Sequence, residues 1–185
     1  MTTLTDILTN REERTAYRKK LSEKYHLPHI CFQVNSPGPI KYTRNSCLVH
    51  SAGTTALLEA LYRHHLQSVH TEIRHKETGI EGFFVINCEA LFLKSICCEI
   101  EEIHPLGRLF DMDVDNPKGE PVNRDRLGYP VRACLLCGGD VIACRREGKH
   151  SLNEYNDRIQ ELIEDFLQSQ QFCTGNPVFF KDDRY

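Results

Sequence analysis

The chain has 185 residues, 40% hydrophobic and 26% charged, with a formal net charge of −3. That balance is ordinary for one globular domain with its own core. It excludes the cationic excess that non-specific nucleic-acid binding needs, and no apolar run approaches the ~18 residues of a membrane-crossing helix. Met1 to Asn10 lack the basic-then-apolar pattern of a secretory leader, so the cytoplasm is the expected location. Charge is uneven along the chain. Residues 116–150 carry seven Lys or Arg against four Asp or Glu, and residues 151–185 carry three against seven.

Asn10-Arg11-Glu12-Glu13 has the form of a helix start, with Asn as cap and Glu three places on. Helix formers continue to about Tyr25, and Pro28 closes the segment. His29–Val34 reads as a strand with Ile30, Phe32 and Val34 at period two, ending in the loop signal Asn35-Ser36-Pro37-Gly38-Pro39. A helix is expected near Asn45–Leu66, locally weakened by Gly53. Val69–His75 and Gly82–Asn87 read as strands around a Glu77-Thr78-Gly79 turn. Leu93, Ile96, Cys97, Ile100 and Ile103 return to helical spacing, Pro105 stops that helix, and Leu109–Val114 is the next strand. Ser151-Leu152-Asn153-Glu154 is a second capping box, opening a helix with one apolar stripe from Leu152 to Phe166.

The order β-α-β-β-α-β is the split βαβ pattern of ferredoxin-like folds, with helices expected on one face of an antiparallel sheet. The fold class is therefore α+β, one domain over 1–185. It divides into an N-terminal helical segment (1–28), an α+β core (29–115), a basic Cys/His loop region (116–150), a terminal helix (151–171) and a tail (172–185).

The sharpest local feature is His104-Pro105-Leu106-Gly107-Arg108-Leu109-Phe110-Asp111-Met112-Asp113-Val114-Asp115. On a strand, Asp111 and Asp113 project together, away from Phe110, Met112 and Val114. Two adjacent carboxylates are tolerated when a cation lies between them or one stays protonated. Mg²⁺ often bridges such carboxylates to substrate phosphates. An edge strand made soluble by acidic residues has the same pattern. Arg108 can grip a phosphate in bidentate fashion, Lys41 follows the Pro37-Gly38-Pro39 turn, and Arg124 and Arg132 come soon after.

Nine cysteines are many for a reducing compartment. Cys31, Cys47, Cys88, Cys97 and Cys98 read as small core hydrophobes. Cys134, Cys137, Cys144 and His150 form a Cys-x₂-Cys pair followed by a third thiol and an imidazole, a set that suits structural Zn²⁺. The same spacing also fits four unrelated reduced residues, or a redox pair at Cys134 and Cys137.

Gly107-Arg108-Leu109-Phe110-Asp111-Met112-Asp113-Val114 resembles the signature of the citrate lyase holo-acyl-carrier-protein synthases, also called apo-citrate lyase phosphoribosyl-dephospho-CoA transferases. His104-Pro105-Leu106, Ser36-Pro37-Gly38-Pro39-Ile40-Lys41, Arg132-Ala133-Cys134-Leu135-Leu136-Cys137, and Cys144-Arg145-Arg146 with His150 follow the same family's order. The resemblance runs from about Arg11 to Leu167. It implies a nucleotidyltransferase acting on 2'-(5''-triphosphoribosyl)-3'-dephospho-CoA. A serine of the apo acyl carrier protein of citrate lyase would attack the phosphorus nearest the ribose, and pyrophosphate would leave. Asp111 and Asp113 would hold Mg²⁺ and one of them would take the serine proton; Arg108 and Lys41 would steady the phosphates and His104 would orient a carboxylate. No nucleic-acid or membrane partner is implied. Two rivals remain: a phosphatase of the haloacid dehalogenase type using the Asp-x-Asp pair, and a zinc-stapled module that binds an acidic carrier without chemistry.

Overall fold

Helix α1 (Leu4–Tyr25) opens six residues before the expected Asn10, because Thr3 and Asp6 already form a reciprocal capping box. The Thr3 N–H donates to Asp6 Oδ2 (2.8 Å) and the Asp6 N–H donates to Thr3 Oγ1 (3.1 Å), so two end groups are satisfied at once. Asn10 lies inside the helix and is buried, donating to Glu81 Oε1 (2.8 Å). These residues belong to a computed structural model that describes residues 3–174. His26, in the left-handed region at φ 51°, ends α1.

Strand β1 (His29–Val34) follows, then α2 (Arg44–Arg63), β2 (Ser68–Lys76), β3 (Gly79–Ile86), α3 (Ala90–Ile103) and β4 (Phe110–Asp115). A one-turn 3₁₀ segment, Gly107–Leu109, leads into β4. The strands form a single four-stranded sheet in the order β2-β3-β1-β4, with every neighbouring pair antiparallel. The protein is thus α+β, as its sequence indicates. Beyond β4 the expected loop contains a 3₁₀ turn at Arg124–Leu127 and the short helix α4 (Val141–Arg146). Helix α5 runs Leu152–Thr174, past the expected end at 171. The rest of the expected tail lies outside the described residues.

The main core lies on one face of the sheet. Ile30, Phe32, Phe84, Phe110, Met112 and Val114 meet Val49 and Leu57 of α2, Leu93 and Ile96 of α3, and Ile163 of α5. The other face is covered as well. Cys31, Phe83 and Val85 pack against Leu21 and Tyr17 of α1. The expectation of helices on one face only is therefore corrected. The unbroken run Phe83-Phe84-Val85-Ile86 is apolar on both sides because both sides are buried.

β4 is an edge strand, and its outer backbone groups are covered by side chains rather than by another strand. The Met112 N–H donates to Glu101 Oε1 (2.9 Å), Lys94 Nζ donates to the Met112 carbonyl (2.9 Å), and Arg132 donates to the Phe110 carbonyl (2.6 Å). Buried Glu101 also pairs with Arg132 at 2.6 Å. These bonds fix the strand that carries the acidic pair and tie the segment after it to the same edge.

Candidate active site

β4 presents Asp111 and Asp113 outward while Phe110, Met112 and Val114 are buried. The register sets Asp111 opposite Gln33, Asp113 opposite Cys31 and Asp115 opposite His29. The two exposed carboxylates have different neighbours. Arg18 of α1 reaches Asp113 at 3.1 Å and Asp115 at 2.6 Å. Asp115 is buried and also contacts His29 Nε2 at 3.1 Å. Burial opposes its charge, yet the hydrogen bonds from His29 and Arg18 outweigh that and hold its carboxyl below the usual range. Arg18 was not foreseen from sequence; its partner is 97 positions away and nothing local marks it.

Asp111 instead faces a cleft of about 590 Å³ lined by Asn35, Ser36, Lys41, Arg108, Arg132, Arg145 and Tyr155. Four cations converge there around one carboxylate. Although the Asp111 side chain reaches solvent, the cleft walls crowd it. That desolvation, followed by the like charge of Asp113, pushes its carboxyl above the usual range. The Arg108 guanidinium donates to the Ala133 carbonyl, and burial together with Arg132 lowers its affinity for its own proton. Lys41 Nζ donates to the Ser36 carbonyl, and burial lowers its pKa too. Cations crowded in this way gain from an incoming anion, which restores the counter-charge that burial removed.

A shallower cleft of about 390 Å³ joins Asp111, Asp113, Arg124 and Arg132 on the other side of the strand edge. Arg124 is held there by Glu102. His104 does not join either cleft. Its Nδ1 accepts from the Leu106 N–H (3.0 Å), and its ring packs on Phe110 and Phe166 with centroids 4.9 and 5.4 Å away. It lines a separate recess between α2 and α3. The proposed contact of His104 with a carboxylate is corrected: the turn at Pro105 brings the ring against the core instead. Tyr155, expected in the core stripe of α5, lines the cationic cleft.

Cys134, Cys137, Cys144 and His150 do come together. Their Sγ and imidazole nitrogen atoms all lie within 4.8 Å of one another, with Cys137 and Cys144 sulfurs 3.5 Å apart. Ligands ~2.3 Å from one tetrahedral ion would stand about 3.7 Å apart, so the set fits a single metal such as zinc. The chain builds it with a tight turn: the Cys134 N–H donates to the Gly139 carbonyl (2.7 Å), and Gly138 takes φ +69°. Burial opposes ionisation of Cys134. The N–H groups of Cys137 and Leu136 and the Tyr155 hydroxyl outweigh it and bring the thiol to about 6. Burial and the neighbouring thiols push Cys144 up to about 11 instead, so what suits a soft cation is the donor set itself, three sulfurs and an imidazole.

The family model described as apo-citrate lyase phosphoribosyl-dephospho-CoA transferase matches residues 2–166. The chain belongs to that family. A Vibrio cholerae serotype O1 relative (strain M66-2) described as a probable apo-citrate lyase phosphoribosyl-dephospho-CoA transferase is 34% identical over 164 residues, covering 88% of this chain and 92% of that protein. Relatives of the same description, without "probable", occur in Citrobacter koseri and in Escherichia coli O139:H28. Each is 33% identical over 160 residues, covering 86% of this chain and 87% of the relative. The family match takes in about the first four turns of α5 as well as β4, so both walls of the cationic cleft lie inside it.

Proposed function

We propose that this protein is a nucleotidyltransferase. It moves the phosphoribosyl-dephospho-CoA group from its 5''-triphosphate precursor to a serine of the apo acyl carrier protein of citrate lyase. The observation that carries this reading is the convergence of Lys41, Arg108, Arg132 and Arg145 around Asp111 in one cleft. Family membership supplies the substrate and the carrier.

In the reaction, the serine Oγ bonds to the phosphorus nearest the ribose as that phosphorus parts from pyrophosphate. The serine proton passes to Asp111 and then to water. Transfer of this kind needs charge neutralisation and in-line positioning more than covalent help. The four cations meet the triphosphate and the departing pyrophosphate. Desolvation and the like charge of Asp113 raise the Asp111 carboxyl, which makes it a stronger proton acceptor than an unperturbed aspartate. Asp111 and Asp113 are also the carboxylates that would hold Mg²⁺ against the triphosphate, where the ion would supply further neutralisation. Arg18 fixes Asp113 from the α1 side. Arg124 stands beside both carboxylates as a second phosphate contact.

The Cys134, Cys137, Cys144, His150 set takes zinc as a structural ion. All four positions are filled, which leaves no open coordination place for chemistry. The core is read as the ferredoxin-like split βαβ arrangement within one domain; the βαββαβ order and the strand sequence β2-β3-β1-β4 support it. A cytoplasmic setting is supported by the cysteines among the described residues, which are all free. No described helix is long and apolar enough to cross a membrane. The phosphatase reading is not favoured, since it requires a parallel α/β sheet and this sheet is antiparallel.

The test is to incubate the protein with apo carrier, Mg²⁺ and the triphosphoribosyl substrate and to weigh the carrier by intact mass spectrometry. The carrier should gain the mass of the prosthetic group, and Asp111→Asn should cut the rate by about 100-fold or more with the fold intact. Near wild-type turnover by that variant would remove Asp111 from the chemistry.

A further inference from the structure

A second chamber lies against the cationic cleft and shares Asn35, Ser36, Pro37 and Ile159 with it as a common wall. Its volume is also about 590 Å³, within the range of small-molecule sites. Its chemistry is the reverse of its neighbour's. Among the described residues, no Lys or Arg lines it. Its walls are Ile40, Leu109, Leu152 and Ile163, with the neutral polar groups of Thr43, Asn45, Asn156 and Gln160, and Asp157 is the one charged residue among the described residues that line it.

We propose that this chamber binds the adenosine moiety of the substrate, so that the site is two-part: triphosphate among the cations, nucleoside beside them. This rests on the function proposed above. Three observations carry it. First, charge sorts the ligand. A space with no cation and one carboxylate repels phosphates, whereas a base needs apolar partners for its faces and neutral donors and acceptors for its edge. Secondly, connectivity fits. The ribose that bears the triphosphate is joined directly to the 2' oxygen of adenosine, so the nucleoside lies one sugar from the reacting phosphorus, as two chambers sharing a wall require. The pantetheine arm lies beyond a 5'-diphosphate, for which this chamber offers no counter-charge.

Thirdly, the chamber is built from held elements. One helix, α5, supplies Tyr155 to the cationic side and Asn156 and Gln160 to the neutral side. Asn45 Nδ2 donates to Gln160 Oε1 (2.8 Å), tying α2 to α5. The loop between the chambers lies close on α5. A Cβ on Gly38, at φ +78°, would stand 3.1 Å from a Leu152 methyl. Both that backbone and that approach favour glycine. Two subsites on the same helix hold their ligands at a fixed separation, which is what positioning a phosphorus for in-line attack demands.

The test uses the whole chain with three probes: dephospho-CoA, pantetheine and inorganic tripolyphosphate. Binding is read by calorimetry, and the ligand protons in contact by saturation-transfer NMR. Asn156→Trp adds bulk at an exposed position of α5 that lines the neutral chamber. We expect the adenine protons of dephospho-CoA to take up saturation in the wild type. Asn156→Trp should weaken dephospho-CoA by about tenfold or more and leave tripolyphosphate unchanged; Arg108→Gln should weaken tripolyphosphate instead. The proposal is overturned if dephospho-CoA binds Asn156→Trp as well as wild type, if pantetheine protons rather than adenine protons take up the saturation, or if dephospho-CoA fails to bind the wild type at millimolar concentration. The carrier-modification assay keeps the two ideas apart. A wild-type protein that modifies no carrier but loses dephospho-CoA with Asn156→Trp refutes the transferase and leaves the nucleoside site standing.

Discussion

Asp111 and Asp113 stand two residues apart on one face of β4, and their neighbours give them different chemistry. Arg18 holds Asp113, while Asp111 is desolvated within the cationic cleft. His50 shows the same control by surroundings in a residue outside the site. It is 3% exposed, stacked on Phe32 with ring centroids 4.5 Å apart. Burial brings its pKa down to about 4, so the folded protein keeps it neutral where the unfolded chain, near 6.5, takes a proton. The unfolded state then binds more protons, and stability falls as pH drops from about 6.5 toward 4. Each pKa unit is worth about 1.4 kcal/mol, so His50 should cost about 2 kcal/mol at pH 5 relative to pH 8. Urea unfolding at the two pH values, on wild type and His50→Gln, isolates this share; identical pH dependence in both proteins would contradict it.

Among the elements, α2 packs on the sheet through Gly53. A Cβ there would overlap the Phe32 ring and stand 3.0 Å from Phe110. Glycine in mid-helix ordinarily costs about 1 kcal/mol against alanine. Here the sign should reverse: Gly53→Ala is expected to destabilise by about 1–3 kcal/mol, because overpacking a closed contact outweighs the propensity gain. A shift of the urea midpoint upward would refute it. The Cys/His turn makes a comparable demand on residues 133–150. Cys134 lies beside Tyr155, 3.5 Å from its hydroxyl, and Ala133 receives Arg108. Protein purified without chelator should carry one zinc per chain by elemental analysis. Stripping the metal should raise hydrogen exchange across 133–150 while β1, β3 and β4 stay protected. Unchanged exchange after verified metal loss would mean that no ion holds the turn.

Over the whole molecule, a formal charge of −3 conceals a face on which Lys41, Arg108, Arg132 and Arg145 gather. Acyl carrier proteins are typically acidic, so docking should weaken with salt. Raising ionic strength from 0.05 to 0.3 M should increase the KM for carrier several-fold, with a smaller change in kcat. A KM independent of salt would place the carrier on a different face.

Local patterns in the chain were enough to find β1 to the residue, the helix breaks at Pro28 and Pro105, the box at Ser151, and the outward pair Asp111 and Asp113. Each rests on forces acting within a few residues: period-two burial, a missing proline N–H, a reciprocal cap. The Cys/His set was legible for the same reason, since its four residues span only 17 positions. Only the tertiary structure could decide that α1 covers the second face of the sheet, and that Arg18 reaches Asp115 from 97 positions away. It also set His104 against Phe110 and turned Tyr155 toward the cations. Those outcomes depend on which surfaces meet when separate elements pack, and a sequence pattern specifies that an element has an apolar face without specifying what that face will touch.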